Sequence, residues 1–274
     1  MLILNSNKNL FCKTNNQLER VQTCTRLFFI DTLCFSTSPN RKIADNYRDI
    51  DWKQCNIDLR YKQAEILWAF KKKDDKKVLE LQQALVRSFA ARAISVRKVV
   101  TNDGKNTPGV DKIIWKTDEE KLQAIHDLKN LTNYKASPVK RVHIPKSDGS
   151  LRLLGIPTMY DRAVQTLWYL ALIPIAEETA DSQSYGFRPH RGAHDCVTYL
   201  NLVISSYTAT RRFVLNADIK KFFDNVSHDW ILKNIPMDVK ILEQFLKAGF
   251  IDSESFLGTF KGFPQGGVIS PTIG

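Results

Sequence analysis

The chain has 274 residues, 43% of them hydrophobic and 25% charged, a composition typical of a folded protein with a substantial core. Its 40 Lys and Arg residues outnumber 29 Asp and Glu residues, and the resulting net charge of +11 favours polyanionic partners such as nucleic acids. Every uncharged apolar stretch is shorter than the ~20 residues that a membrane span needs. The five cysteines include no Cys-x-x-Cys pair, which argues against a disulfide framework or a cysteine zinc site.

The positive charge belongs mainly to the first half of the chain. Residues 1–137 carry 25 basic and 16 acidic side chains, whereas residues 138–274 carry 15 and 13. The basic residues are densest between Arg60 and Val100, and such a cluster attracts phosphates through counterion release. A solvated helix face is the alternative interpretation of the same pattern.

The first 137 residues are predicted to be an irregular extension followed by helices. Residues 1–45 lack periodicity, and they resemble an organelle transit peptide only faintly because no cleavage signal is present. Apolar residues at helical spacing predict one helix over residues 59–70 and a second over residues 78–96, joined by a charged turn. Thr117–Glu120 has the spacing of a capping box and predicts a helix that continues to Leu128.

A β-hairpin is predicted next, because two short β-like runs, residues 139–144 and 151–156, flank an Asp-Gly turn signal. A two-residue turn places Pro145 opposite Arg152 and makes Lys146 a diagonal neighbour of Arg152. Two converging cations can hold a polyphosphate. The commoner use of such residues is to keep the edge of a hairpin soluble.

Two helices and a strand are predicted in the following segment. The helices cover residues 160–178, with a bend or interruption at Pro174, and residues 193–205. Residues 213–219 alternate in the manner of a strand, with Asp218 near its C-terminal end. Helices flanking a few strands in this order predict an α+β fold.

Asp218 is the first candidate for chemistry. A carboxylate at the end of an apolar strand needs compensation, and Mg²⁺ held by carboxylates supports nucleotidyl transfer. A helix cap or an ion pair with Lys221 are alternatives that the residues leave open. The side-chain-poor turn at residues 262–267 would let the backbone approach a ligand closely, but it is a weak signal alone.

Five segments, taken together and in order, resemble the group II intron-encoded reverse transcriptases/maturases, from about Trp52 to the last residue. The segments are Lys105–Asp111, Ile144–Thr158, Ser184–Pro189, Ala217–Asp224 and Pro264–Pro271. The resemblance implies the fingers and partial palm of a right-hand polymerase preceded by a basic helical N-terminal region. The expected boundaries are 1–45 for the extension, 46–137 for the N-terminal region, 138–212 for the fingers and 213–274 for the incomplete palm.

The resemblance also assigns roles to single residues. Asp218 is the implied catalytic aspartate, and it would bind Mg²⁺ together with the carbonyl oxygen of Ile219. The residues implied to contact the incoming deoxynucleoside triphosphate are Lys146, Arg152, Phe223 and Gln265. Among them, Phe223 would exclude a ribose 2′-hydroxyl, and Gln265 would lie beside the nucleotide and the primer.

The implied partners are group II intron RNA, an RNA template with a DNA primer, and deoxynucleoside triphosphates. The residues expected to bind RNA are Lys71, Lys72, Lys73, Lys76, Lys77, Arg87, Arg92, Arg97 and Lys98. The loop from Asn106 to Asp111 would hold intron RNA or template with them. RNA of this kind is recognised by shape and phosphates.

One departure from the family pattern bears on activity. Family members carry a later Tyr-x-Asp-Asp strand that supplies the remaining carboxylates, whereas this sequence stops at Gly274. One aspartate cannot hold two Mg²⁺ ions about 3.5–4 Å apart. We therefore expect no DNA synthesis by this chain until the rest of the palm and the thumb complete it, in the same or a separate polypeptide.

Two other hypotheses stay open. The chain could bind intron RNA and assist splicing without chemistry, or it could be the product of a degenerate reading frame. A bacterial cytoplasm, a plastid or a mitochondrion would suit it, and secretion is not expected.

Overall fold

The computed structural model describes residues 45–145, 149, 151–205, 213–253 and 255–274. These residues form an α+β fold, as predicted. The helices are α1 Trp52–Lys71, α2 Asp75–Arg87, α3 Phe89–Thr101, α4 Asp118–Asp127, α5 Met159–Thr179, α6 Ala193–Ile204, α7 Phe222–Asn225, α8 His228–Asn234, α9 Val239–Lys247 and α10 Ser270–Ile273. The strands are β1 Val139–Pro145, β2 Leu151–Ile156, β3 Phe250–Asp252 and β4 Ser255–Leu257.

The described residues divide into two compact units. The larger contains residues 45–178 and 221–274, and the smaller is Thr179–Lys220. The hydrophobic core of the larger unit is built from α1, α3, α5 and α9, with contributions from the segments between them. None of the helices in the described ranges is long and apolar enough to cross a lipid bilayer.

The N-terminal part of the larger unit has three helices where two were predicted, because the second predicted helix is broken at Ser88. The backbone of Ser88 is extended, with φ −70° and ψ 144°. Its hydroxyl accepts a hydrogen bond from the N–H of Ala91 at 3.3 Å and donates to the carbonyl of Leu85 at 2.6 Å. Serine competes in this way for backbone groups at helix ends, and the apolar periodicity on either side concealed the break.

The predicted capping box at the start of α4 is confirmed. The N–H of Glu120 donates to the Thr117 hydroxyl at 3.2 Å, and the N–H of Thr117 donates to the Glu120 carboxylate at 2.9 Å. The hydrogen bonds that the Thr117 and Lys116 N–H groups donate to the carboxylate hold the pKa of Glu120 below its ordinary value. The local pattern therefore fixed this helix start without help from the rest of the chain.

Helix α5 is the central element of the core, and it continues through Pro174. A proline has no N–H, so the carbonyl of Leu170, four residues earlier, loses its helical partner. The side-chain amide of Gln63, on α1, donates to that carbonyl at 2.8 Å. The hydrogen bond that proline removes is thereby replaced from a neighbouring helix.

A buried polar network fixes the start of α5. Asp161 is 3% exposed, and it accepts hydrogen bonds from Tyr134 at 2.7 Å and Thr158 at 2.6 Å. Burial raises the pKa of Asp161 even though these hydrogen bonds favour its charged form. Burial, together with the neighbouring Asp161, also raises the pKa of Tyr134. The network ties the segment before β1 to the central helix.

The four strands form one sheet in the order β2-β1-β3-β4, with β1 parallel to β3 and the other pairs antiparallel. The predicted hairpin is confirmed, but its predicted register is wrong by one residue. Arg152 lies opposite Ile144, and Pro145 lies opposite Leu151. Tertiary contacts hold both strands, since β1 also pairs with β3 and the N–H of Gly155 donates to the Gln265 carbonyl at 2.7 Å. The turn residues alone therefore did not decide the pairing.

The smaller unit contains α6, as predicted. The strand predicted over residues 213–219 is wrong. Residues 213–219 have no regular secondary structure, and Phe213 and Ile219 are 96% and 69% exposed. A strand needs a hydrogen-bonded neighbour, and within the described ranges no strand pairs with this segment. The alternating sequence was therefore insufficient to form a strand here.

Candidate functional site

The glycine-rich turn at residues 262–267 packs closely against β2. Gly266 has φ 111°, and a side chain there would place its Cβ 2.7 Å from the carbonyl oxygen of Gly155. That carbonyl belongs to the same residue whose N–H donates to Gln265. Only a residue without a side chain allows this close backbone approach. The turn is thus held at one fixed place on the hairpin.

This docking brings together two residues that were predicted to contact a nucleotide. The Arg152 Nε donates to the Gln265 Oε1 at 3.4 Å, across 113 residues of sequence. Arg152 is exposed and Gln265 is half-buried. A guanidinium has further N–H donors that can bind an anion while one is engaged. Lys146, the predicted partner of Arg152, lies outside the described residues.

The same turn also holds Phe223. Its ring packs edge-to-face on Phe263 at 5.2 Å and on Phe222 at 5.4 Å. The N–H of Phe263 donates to the Phe223 carbonyl at 2.9 Å. Gly262 has φ 68°, and a Cβ on this residue would lie 2.2 Å from the same carbonyl oxygen, so there is no space for a side chain. The geometry fixes the backbone of Phe223 and leaves its ring half-buried.

The predicted metal ligands, Asp218 and Ile219, lie in the smaller unit, and both are exposed. No group of three or more His, Cys, Asp or Glu side chains suited to a metal ion occurs among the residues that the structure describes. The surroundings expected for Asp218, the end of an apolar strand, are also not formed. These residues alone do not build a metal site.

The lysines predicted to bind RNA lie at the exposed junction of α1 and α2. Lys71 forms an ion pair with Glu178 at 3.0 Å, and Lys77 pairs with Glu80 at 3.3 Å. The Lys72 ammonium lies 3.5 Å from the centroid of the Trp68 ring. Exposed ion pairs of this kind are weak. These side chains can therefore exchange their present partners for phosphates. Lys73, Lys76 and Arg87 are also exposed.

One predicted RNA-binding residue is placed wrongly by the sequence. Arg92 is 5% exposed, and its guanidinium donates to the carbonyl of Ile125 inside the core. Burial lowers its pKa. A guanidinium enclosed in this way cannot reach an RNA phosphate. The prediction that Arg92 binds RNA is therefore wrong. The helical spacing put it on the buried face of α3.

Arg97 and Lys98, near the end of α3, are exposed at the surface but pack on aromatic rings. The Arg97 guanidinium lies 4.6 Å from the centroid of Trp52, and the Lys98 ammonium lies 4.1 Å from that of Tyr169. Burial of part of the Lys98 side chain lowers its pKa. Both cations combine charge with an aromatic face, as nucleic-acid-binding surfaces do.

Sequence reasoning missed Arg162, which anchors the loop of residues 104–111. Arg162 is 6% exposed on α5, and it donates to the carbonyls of Gly104 and Pro157, each at 3.0 Å, and to that of Thr107. Charged residues are almost never fully buried without a partner. An arginine in the first turn of the apolar helix α5 was therefore an available signal.

Comparison with known protein families agrees with this arrangement. The family described as "N-terminal domain of reverse transcriptase" matches residues 47–128, and the family "Reverse transcriptase (RNA-dependent DNA polymerase)" matches residues 144–274. Together the matches span more than three quarters of the chain, in the order expected from the sequence motifs. The chain belongs to the reverse transcriptases, and its relatives include group II intron-encoded proteins.

Three relatives illustrate this family. "Protein YkfC" of Escherichia coli (strain K12) is 36% identical over 192 residues, covering 66% of this chain and 50% of that protein. "Group II intron-encoded protein LtrA" of Lactococcus lactis subsp. cremoris is 33% identical over 189 residues, covering 66% and 31%. "Putative COX1/OXI3 intron 1 protein" of Saccharomyces cerevisiae is 28% identical over 203 residues, covering 69% and 23%. The chain spans half or less of the length of these relatives.

Reverse transcriptases generally use Mg²⁺. The exposed carboxylate of Asp218 is the type of oxygen ligand that Mg²⁺ prefers. A catalytic site needs several such ligands, and the described residues do not gather them. The residues described do not fit a complete Mg²⁺ site.

Proposed function

We propose that this chain is the RNA-binding and nucleotide-contacting front part of a protein that copies RNA into DNA. The two successive family matches carry the proposal, because they place an N-terminal reverse transcriptase domain directly before polymerase motifs. We propose residues 46–137 as the basic N-terminal region, residues 138–212 as the fingers and residues 213–274 as the first part of the palm. The partners would be group II intron RNA, a primed RNA template and deoxynucleoside triphosphates.

The exposed lysines between α1 and α2 support binding to structured RNA. Their ion pairs are at the surface, where water and salt already weaken them. Phosphates of a folded RNA would replace Glu80 and Glu178 as partners and release counterions. Such binding would be strong at low salt and would read the shape of the RNA more than its sequence.

The contact between Arg152 and Gln265 supports a nucleotide-binding role for the turn and the hairpin. Arg152, with Lys146, would hold the triphosphate, and Gln265 would lie beside the base and the primer. Phe223, whose backbone is fixed by the glycine-rich turn, would limit space at the sugar and so favour deoxynucleotides. Asp218 and the Ile219 carbonyl would supply two Mg²⁺ ligands.

We further propose that the 274 residues alone do not extend a primer. A two-metal site needs carboxylates beyond Asp218, and a separate polypeptide or a longer chain would supply them. A bacterial cytoplasm or an organelle is the proposed compartment, supported by relatives in bacteria and by a relative named for an intron of COX1.

RNA binding is tested by titrating the purified chain with a group II intron RNA at several salt concentrations. Replacing Lys71, Lys72 and Lys73 together with Gln should reduce the slope of log affinity against log salt by roughly two to three, since each lost phosphate contact contributes about 0.7–0.9. The matched control replaces Lys233, Lys240 and Lys247 on α8 and α9, which removes the same charge. Equal slopes for both triple variants would contradict the proposed surface.

Polymerase function is tested by primer extension on an RNA template. The chain alone should give no product, whereas a longer polypeptide that includes the downstream palm should be active and should lose activity with Asp218→Asn. In the longer protein, Phe223→Ala should increase incorporation of ribonucleotides. Extension by the 274-residue chain itself would refute the proposed need for further carboxylates.

A role limited to splicing is the second candidate, because the basic N-terminal surface is formed independently of any metal site. It predicts that the chain increases splicing of its intron RNA without deoxynucleotides. Splicing unchanged by the chain, with RNA binding intact, would exclude it.

A further inference from the structure

A cavity of about 420 Å³ opens in the N-terminal part of the larger unit. It lies between the start of α1, the end of α3 and the segment that leads into α4. Sites for small ligands typically enclose about 300–1,000 Å³, so the cavity is large enough for a nucleotide-sized group. None of the residues predicted to contact the deoxynucleoside triphosphate lines it, whereas Arg97, predicted to bind RNA, does.

Aromatic rings form one part of the wall. Tyr47 and Trp52 pack edge-to-face with their centroids 5.3 Å apart, and Trp115, in the segment before α4, also lines the cavity. All three are half-buried against the hydrophobic core. Rings held in this way keep a fixed orientation, which lowers the entropy cost of stacking on a ligand.

Cations form the other part. Arg97, Lys105 and Lys116 are exposed and line the cavity, and Arg97 also lies over Trp52. A fourth cation, Lys121, is partly neutralised by Asp118 at 3.0 Å. Among the described residues, the lining includes no Asp or Glu. A ligand with negative charge and a flat apolar face would therefore complement this lining.

We propose that this cavity binds one unpaired nucleotide of an RNA strand. Its base would stack on the aromatic wall, and the adjoining phosphates would contact Lys105 and Lys116. Aromatic platforms combined with cations are the usual means of holding unpaired bases. The proposal rests on the proposed binding of intron RNA and gives that binding a single-nucleotide contact. An acidic peptide would satisfy the cations but would leave the flat aromatic wall without a stacking partner.

The test uses the whole chain and a short RNA hairpin in three forms. One form has a single unpaired adenosine in its stem, one has an abasic nucleotide at that position, and one is fully paired. The unpaired adenosine should bind about fivefold to a hundredfold more tightly than either control, which is the range expected from stacking one base. Equal affinity for all three forms would overturn the proposal but would leave RNA binding itself intact. No affinity for any form would refute the proposed function instead.

Variants assign the effect to the cavity. Trp115→Ala should abolish the preference for the unpaired adenosine, and Trp115→Phe should retain most of it. Trp230→Ala removes a 57% exposed tryptophan on α8 and should leave the preference unchanged. Preference retained in a folded Trp115→Ala variant would overturn the proposal.

Two charge variants keep the proposal testable if Trp115→Ala does not fold. Lys105→Gln with Lys116→Gln changes exposed side chains and should weaken binding of the bulged RNA, whereas Lys233→Gln with Lys240→Gln should not. Equal losses in both pairs would overturn the assignment to this cavity. The same bulged hairpin made of DNA distinguishes the source of the nucleotide, and tighter binding of DNA would overturn the assignment to RNA.

Discussion

Replacing Arg162 with Met tests whether one buried guanidinium holds the loop of residues 104–111 in place. Met keeps an unbranched apolar chain of similar length and removes the donors to Gly104, Thr107 and Pro157. The loop packs tightly below this contact, since a Cβ on Gly109 would lie 2.7 Å from the backbone of Thr158. Without the guanidinium, the loop should separate from α5.

The magnitude follows from the three hydrogen bonds. A hydrogen bond to a charged group contributes about 1.5–3 kcal/mol when it is buried. Two of the three carbonyls belong to the partly exposed loop and can bind water in the variant, and the variant no longer pays to desolvate a charge. We therefore expect the free energy of unfolding of Arg162→Met to fall by roughly 2–4 kcal/mol.

Urea unfolding followed by tryptophan fluorescence measures this loss, because all five tryptophans lie in the larger unit. Hydrogen exchange should also become faster at residues 104–111, and affinity for intron RNA should fall. Arg87→Met removes an exposed guanidinium and should change stability by no more than about 0.5 kcal/mol. A loss below about 1 kcal/mol for Arg162→Met, with exchange in the loop unchanged, would refute the reasoning.

Three further perturbations test the fold. Gln63→Leu leaves the Leu170 carbonyl without a donor and should cost about 1–3 kcal/mol in urea unfolding. Gly262→Ala combines a left-handed φ with a backbone clash and should cost about 2–4 kcal/mol, whereas Gly258→Ala, which meets only ring atoms beyond 3.4 Å, should be near neutral. Burial raises the pKa of Asp161. The contribution of this carboxyl group to the free energy of unfolding is therefore complete below about pH 4 and is lost as pH rises through the raised pKa. The Asp161→Asn variant should not show this loss.

Each of these has a contradicting outcome. Equal stability of the Gln63 variant and the wild type would show that another group satisfies the helix carbonyl. Similar stabilities for the two glycine variants would argue against a close backbone contact at the turn. The difference in unfolding free energy between Asp161→Asn and the wild type should change in favour of the variant with rising pH, and a pH-independent difference would contradict the predicted direction.

Local patterns predicted the features that depend on neighbouring residues. The capping box at Thr117 and Glu120 needs only a helical turn, and the hairpin needs two β-like runs around Asp-Gly. Helices α5 and α6 followed from apolar spacing and from the turn between them. The motifs that identified the family are also local, because their residues are adjacent in sequence. The candidate residues Arg152, Phe223 and Gln265 were therefore available without a structure.

Long-range contacts decided the rest. The register of the hairpin depends on β3 and on the Gln265 carbonyl, more than a hundred residues away. Sequence periodicity does not reveal partners at such a distance. The burial of Arg92 depends on where Ile125 packs. Residues 213–219 alternate like a strand, but a strand forms only when another segment satisfies its backbone groups. Hydrogen bonds between distant parts of the chain, which no local pattern encodes, thus bring Arg152 to Gln265 and set the arrangement of the candidate site.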